Sequence, residues 1–163
     1  MKSAVIASVI AASVAITTAF AANASSGTAA ASGLGCSPSG VRGAVRAFVS
    51  LKNGGLSATA AARFAAEPAF QWYSAEQPDS RLGAKSKDRR TLASYFARRA
   101  AQHERLTLAT LTGGGYDRRT RMFNFGGKLS RAADDIRGTV TLRDFKGSAV
   151  CVQGHPRFIV WSI

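Results

Sequence analysis

Acidic residues are scarce in this chain: nine Asp and Glu stand against twenty-two Lys and Arg in 163 residues, a formal charge of +13. None occurs before Glu67. Such an excess points to anionic contacts, yet 46% of the residues are hydrophobic, too many for a disordered polycation. Cysteine is equally scarce, with two residues, which excludes a disulfide-dense miniature fold. No apolar run reaches the roughly twenty residues that a membrane-crossing helix needs. Several chemical motifs are missing as well. There is no CxxC or HExxH for a redox or metal centre, no GxGxxG or phosphate loop for a nucleotide, and no calcium loop. Gly35-Cys36-Ser37-Pro38-Ser39 fails at its last place as a nucleophile elbow. No cofactor, no metal and no specific nucleic-acid partner is therefore expected.

What is present begins with a leader. Met1, Lys2 and Ser3 make a short positive start, Ala4 to Ile16 carries no charge and is largely apolar, and Ala19-Phe20-Ala21 and Ala22-Asn23-Ala24 both offer small residues at cleavage spacing. This pattern reads as a secretory signal peptide over 1–24, which places the protein outside the cytoplasm, secreted or in the cell envelope. Residues 25–37 are almost wholly Ser, Gly, Ala and Thr, the composition of a flexible linker, and one domain is expected over 38–163. In an oxidising compartment Cys36 and Cys151 are expected to pair as a structural staple. The pairing would close a loop of 115 residues, which chain-entropy arguments value at up to about 4 to 5 kcal/mol.

Within the domain, Ser37-Pro38 supplies a cap and a first-turn proline. Val41, Ala44, Val45, Phe48 and Val49 then recur at helical spacing until Asn53-Gly54-Gly55. Ser57 reads as the cap of a second helix running to Ala66, and Phe70 to Tyr73 as a short strand. A polar loop leads to Asp88, which can cap a third helix. In it Leu92, Tyr95, Phe96, Arg99, Ala100 and His103 form a packing stripe, while Arg90, Ser94, Arg98, Ala101 and Arg105 form a wet one. Beyond His103 the period changes to two. Strands are expected at Leu106–Leu111, Arg121–Leu129, Thr139–Leu142, Gly147–Val152 and Arg157–Ile163, with turns at 113–117 and 153–156 and a bulge or sharp bend at Gly126-Gly127. Three helices followed by a meander give an α+β fold, the helices on one face of a curved antiparallel sheet.

This order resembles the nuclear transport factor 2-like superfamily, the cone-shaped fold shared with ketosteroid isomerases and polyketide cyclases. The resemblance spans about 38–163 and is carried by the paired opening helices, Phe70-Gln71-Trp72-Tyr73-Ser74, Leu92-Ala93-Ser94-Tyr95-Phe96-Ala97-Arg98-Arg99, Glu104 and Ile159-Val160-Trp161-Ser162. It is nearest to the secreted, functionally uncharacterised branch. The resemblance implies, for the enzymes of the group, a Tyr on the first helix and acidic residues facing the cone. Here the first helix carries Phe48 and no Tyr or acid, so no isomerase base carries over.

Three functions remain open: a non-catalytic module holding a small apolar ligand in the cone, an isomerase- or cyclase-type acid–base enzyme, and a cationic binder of acidic polymers or an anionic membrane surface. Phe48, Trp72, Tyr95, Phe96, Phe123 and Trp161 are the candidate pocket lining, and they are also the rings that a core of this size needs. His103 and Glu104 are the weak catalytic candidates. Arg89 and Arg90, with Lys85 and Lys87, and the trio Arg118, Arg119 and Arg121 are the candidate basic patches. The last strand shows Ile159, Trp161 and Ile163 on one side and Phe158 and Val160 on the other, which suggests a homodimer through the sheet.

Overall fold

The computed structural model describes residues 35–66, 70–74, 84–86, 88–137 and 140–163. The expected signal peptide and all but the end of the expected linker lie outside the described residues. Helix α1 spans Pro38–Asn53. The Ser37 hydroxyl accepts the Gly40 amide at 3.0 Å, Pro38 opens the helix, and the run ends where Gly54 and Gly55 follow, Gly55 at φ 73. Its buried stripe is Val41, Ala44, Val45, Phe48, Val49 and, unexpectedly for a charged group, Lys52.

Helix α2 covers only Ser57–Ala61, shorter than composition suggests, and Leu56 rather than Ser57 holds its cap position, with no side-chain bond. Tertiary pairing stops it. The amide of Ala65 donates to the Phe158 carbonyl at 2.8 Å and that of Phe158 to the Arg63 carbonyl at 3.0 Å, so the chain around Phe64 is drawn alongside the last strand. Helix α3 spans Arg89–Ala101, with the Asp88 carboxylate accepting the Thr91 amide at 2.8 Å as the sequence suggests.

The strands are β1 (Gln71–Ser74), β2 (Ala84–Ser86), β3 (Arg105–Asp117), β4 (Met122–Ala132), β5 (Leu142–Val152) and β6 (His155–Ser162), in the sheet order β2-β1-β6-β5-β4-β3. Three helices pack on this sheet in an α+β arrangement. The sheet is mixed rather than wholly antiparallel, because β1 runs parallel to β6. Strand β2 arises within the stretch that composition marks as loop, by pairing with β1. The two strands expected between Gly138 and Val152 are one, β5, continuous through Asp144-Phe145-Lys146; Thr139 lies outside the described residues.

The glycine run at 113–115 is not a turn. It lies inside β3, and the hairpin turns later, at 118–121, where Asp117 accepts the Arg119 amide at 2.9 Å and the Thr120 hydroxyl at 2.8 Å. Gly114 is the extra residue of a bulge, at φ 88, and a Cβ there would sit 2.6 Å from the Pro38 carbonyl oxygen; the start of α1 docks on this spot. The bulge expected at Gly126-Gly127 falls instead on the facing strand, between Leu108 and Thr110. Gly127 permits it, since at φ 156 a Cβ would collide with the Thr110 carbonyl oxygen. The turn at Gln153-Gly154 forms as expected, both residues at positive φ.

A third irregularity, at Ile159 opposite Ser148 and Ala149, resets the alternation of β6. Phe158 and Trp161 consequently both enter the core, although simple alternation puts them on opposite faces. At the centre of that core the Phe48 ring lies 4.7 to 6.1 Å from those of Phe64, Trp72, Phe96, Phe158 and Trp161. Cys36 and Cys151 form the expected disulfide, Cα atoms 5.7 Å apart, tying the entry of α1 to the end of β5.

Candidate functional site

Most of the expected pocket lining is core. Phe48, Trp72, Tyr95, Phe96 and Trp161 are brought together and buried against one another, with Trp72 and Trp161 stacked at 6.0 Å. Their side chains leave almost no surface for even a water-sized neighbour. The indole N–H groups of both tryptophans are buried without a hydrogen-bond partner among the described residues. Phe123 belongs to the same core but sits at its edge, near the disulfide.

At one end of the core the apolar packing gives way to a knot of charge. Glu104, the residue just before β3, has its side chain 1% exposed and accepts from Lys52 on α1, Arg99 on α3 and Arg131 on β4. Arg131 also donates to the Ser74 hydroxyl at 2.8 Å and the Tyr95 hydroxyl at 3.1 Å, and Tyr95 bonds Ser74 at 3.0 Å. Arg99 extends the knot to the surface through a two-pronged bond to Asp135, at 2.5 and 2.8 Å. A recess of about 370 Å3 lies on that side, beside Arg98, Arg99, Ala101, Gln102 and Asp135.

Burial works against the charge on Glu104, but Lys52 and Arg131, and then Arg99, outweigh it and hold its carboxyl below the usual range. Burial likewise lowers the pKa of Lys52, more than Glu104 restores it, and raises that of Tyr95. For Arg99 burial is opposed by Asp135 and Glu104, which keep the guanidinium charged. The result is a saturated network rather than a poised acid or base. His103 does not join it. It sits at φ 49 just past α3, with its side chain 79% exposed and Nδ1 2.7 Å from Asp134. The two weak catalytic candidates thus point apart, one to water and one into the core.

Lys52, Arg131 and Ser74 were not singled out from the sequence, yet the two cations carried a signal. Lys52 falls on the Val41-Val45-Phe48 stripe, and Arg131 continues the inward alternation of Phe123, Phe125 and Leu129. A charge on an otherwise apolar face marks a buried partner elsewhere.

The basic candidates separate. Arg89 is half-buried and spends its guanidinium on the Phe64 carbonyl, Nε at 2.9 Å, while Arg90 is exposed. The side chains of Lys85 and Lys87 lie outside the described residues. Arg118, Arg119 and Arg121 stand exposed at the β3–β4 turn. Below that turn is an open recess of about 510 Å3 lined by Cys36, Ser37, Pro38, Tyr116, Phe123 and Cys151. Tyr116, 51% exposed, is the register partner of Phe123, their ring centroids 4.9 Å apart. Among the described residues no group of His, Cys, Asp and Glu is placed to hold a metal ion.

No protein-family model matches the chain, and neither does any curated protein. Solved structures do. A putative calcium/calmodulin dependent protein kinase II association domain from Xanthomonas campestris aligns with a TM-score of 0.56 at 13% identity, over 75% of this chain and 82% of that one. A nuclear transport factor 2-like protein with a cystatin-like fold from Novosphingobium aromaticivorans gives 0.56 at 10% identity, over 75% and 77%. Aln2 from a Streptomyces species gives 0.54 at 15% identity, over 75% and 85%. At these identities the likeness establishes the fold, and function has to come from the site.

Proposed function

We propose that this chain, with its nuclear transport factor 2-like, cystatin-like fold, is a non-catalytic module exported from the cytoplasm to bind a small apolar ligand. The recess beside the Cys36–Cys151 disulfide carries the reading. Its volume of about 510 Å3 lies within the range of small-molecule sites, roughly 300 to 1,000 Å3. Pro38, the disulfide and the rings of Tyr116 and Phe123 give it an apolar wall. The site moves from the centre of the cone to its rim because the central rings fill the interior. Export is supported by the positive and then apolar start of the sequence and by a disulfide that oxidising conditions sustain. Against turnover stands Glu104: proton transfer needs a group that titrates near the working pH, and three cations hold this one ionised.

Thermal denaturation across a panel of fatty, steroid-like and aromatic compounds tests the reading. A true ligand at 100 times its dissociation constant stabilises by roughly 2.7 kcal/mol. A panel with no shift, or shifts that Tyr116→Ala leaves untouched, would sink it.

A second reading, binding to acidic polymers, is favoured by the disposition of charge. Each described Asp and Glu side chain is engaged within the chain, at Asp88, Glu104, Asp117, Asp134, Asp135 and Asp144. Meanwhile Arg90, Arg118, Arg119 and Arg121 stay exposed. A homodimer through the outer face of the sheet is likewise a proposal. Val150, Val152 and Val160 are part-buried there, beside the polar pairs Asn124–Ser148 and Lys128–Asp144.

A further inference from the structure

We infer that the ligand of the rim recess is a single-chain anionic amphiphile, its hydrocarbon chain against Tyr116, Phe123 and Pro38 and its headgroup on Arg118, Arg119 and Arg121. The inference rests on the proposed function and names the substrate class of that site. Tyr116 faces Phe123 across the β3–β4 ladder, Asp117 faces Met122 one step further on, and the arginines follow at once in the turn. At about 3.3 Å per residue, the turn begins within roughly 10 Å of the ring pair. Apolar wall and cationic turn thus adjoin at one tip of the hairpin.

The acid beside these arginines does not neutralise them. Asp117 accepts the Arg119 amide and the Thr120 hydroxyl within the turn, and no carboxylate among the described residues forms an ion pair with the three guanidiniums. A wholly apolar ligand would leave that concentration of charge without a counterpart, and a polymer would have no use for the recess. A carboxylate, sulfate or phosphate on one acyl-like chain uses both. The cationic end attracts the head from solution and fixes its orientation, and the wall removes the chain from water. Phe123 is itself buried against the inner packing, so the wall is preformed, and Tyr116 lies over it as an adjustable edge.

The purified chain is titrated calorimetrically with dodecanoate and with dodecanol, each below its aggregation threshold, at about 50 and about 500 mM NaCl. Dodecanoate is expected to bind about tenfold more tightly than dodecanol at low salt, with the gap narrowing at high salt. Replacing the trio together, Arg118→Gln, Arg119→Gln and Arg121→Gln, should bring dodecanoate down to dodecanol, and Tyr116→Ala should weaken both. All four positions are exposed, so circular dichroism should show the fold unchanged. Equal affinities for the two probes would overturn the anionic headgroup while leaving the apolar-ligand reading in place. Binding of neither would overturn the inference, and the apolar-ligand reading would then stand or fall on the steroid-like and aromatic members of the thermal panel. Phosphatidylglycerol vesicles held equally by the native chain and by Tyr116→Ala, with no competition from dodecanoate, would assign the arginines to a membrane surface and overturn the inference.

Discussion

Lys52 on the buried stripe of α1 donates to the carboxylate of Glu104, 52 residues further along the chain, and both side chains are shut away from water. The pair joins α1 to the first long strand from inside. Arg99 and Arg131 bring α3 and β4 to the same carboxylate, so one acidic residue holds four elements together.

Removal of that carboxylate should therefore be severe. Glu104→Gln leaves three buried cations facing one another, and breaking a buried pair in this way costs about 3 to 5 kcal/mol. Urea denaturation should show the loss. The double variant Glu104→Gln with Lys52→Met should lose less than the two single losses added together; strict additivity would mean that the residues act independently.

Acid should weaken the fold through the same group. The folded Glu104 carboxyl titrates below its ordinary value, so the unfolded chain takes up the proton first as pH falls. The stabilisation is complete above the unfolded value of about 4.3 and is lost as pH drops through the folded one. Subtracting the stability of Glu104→Gln from that of the native chain at each pH isolates this term from the other carboxylates. A difference that stays flat from neutral pH to about pH 3 would contradict it.

Phe48 is the ring on which the core converges, with neighbours from β1, α3 and β6 packed around it. Phe48→Ala should cost about 3 to 5 kcal/mol. A loss below about 1 kcal/mol would show that the surrounding rings collapse into the space.

Cys36→Ser with Cys151→Ser should lower stability by up to about 4.7 kcal/mol, and a reducing agent should have the same effect on the native chain. Equal melting temperatures with and without reductant would rule out a structural role for the cross-link.

Retention on a heparin column at about 150 mM salt tests the acidic-polymer reading. The Arg118, Arg119 and Arg121 to Gln variant should elute well ahead of the native chain. Coincident elution of the two would show that the hairpin tip is not the binding surface.

Helices α1 and α3 and their side-chain caps could be read from the sequence because each depends on neighbours three or four residues away. Ser37, Asp88 and the stripe through Phe48 are of this kind. What could not be read depends on distant pairing. The β6 backbone ends α2 early, Pro38 packs against the β3 glycines, and the bulge at Ile159 turns Trp161 to the same side as Phe158. The charge knot was half legible. Arg99 stands on the packing stripe of α3, but the carboxylate it meets, Glu104, also takes Lys52 and Arg131 from other elements, and no local spacing joins all four. The rim recess was legible only in Phe123, because its other walls meet only when the disulfide closes.

Cys36 leaves the ribosome 115 residues before Cys151, an interval of about 6 to 23 s at ordinary elongation rates. By then α1, α3 and the β3–β4 hairpin have all emerged. The bond thus closes as a latch on a nearly assembled body rather than guiding its assembly. Its influence should fall mainly on how long the finished protein survives, through a slower escape from the native state, and hardly at all on how quickly that state is reached.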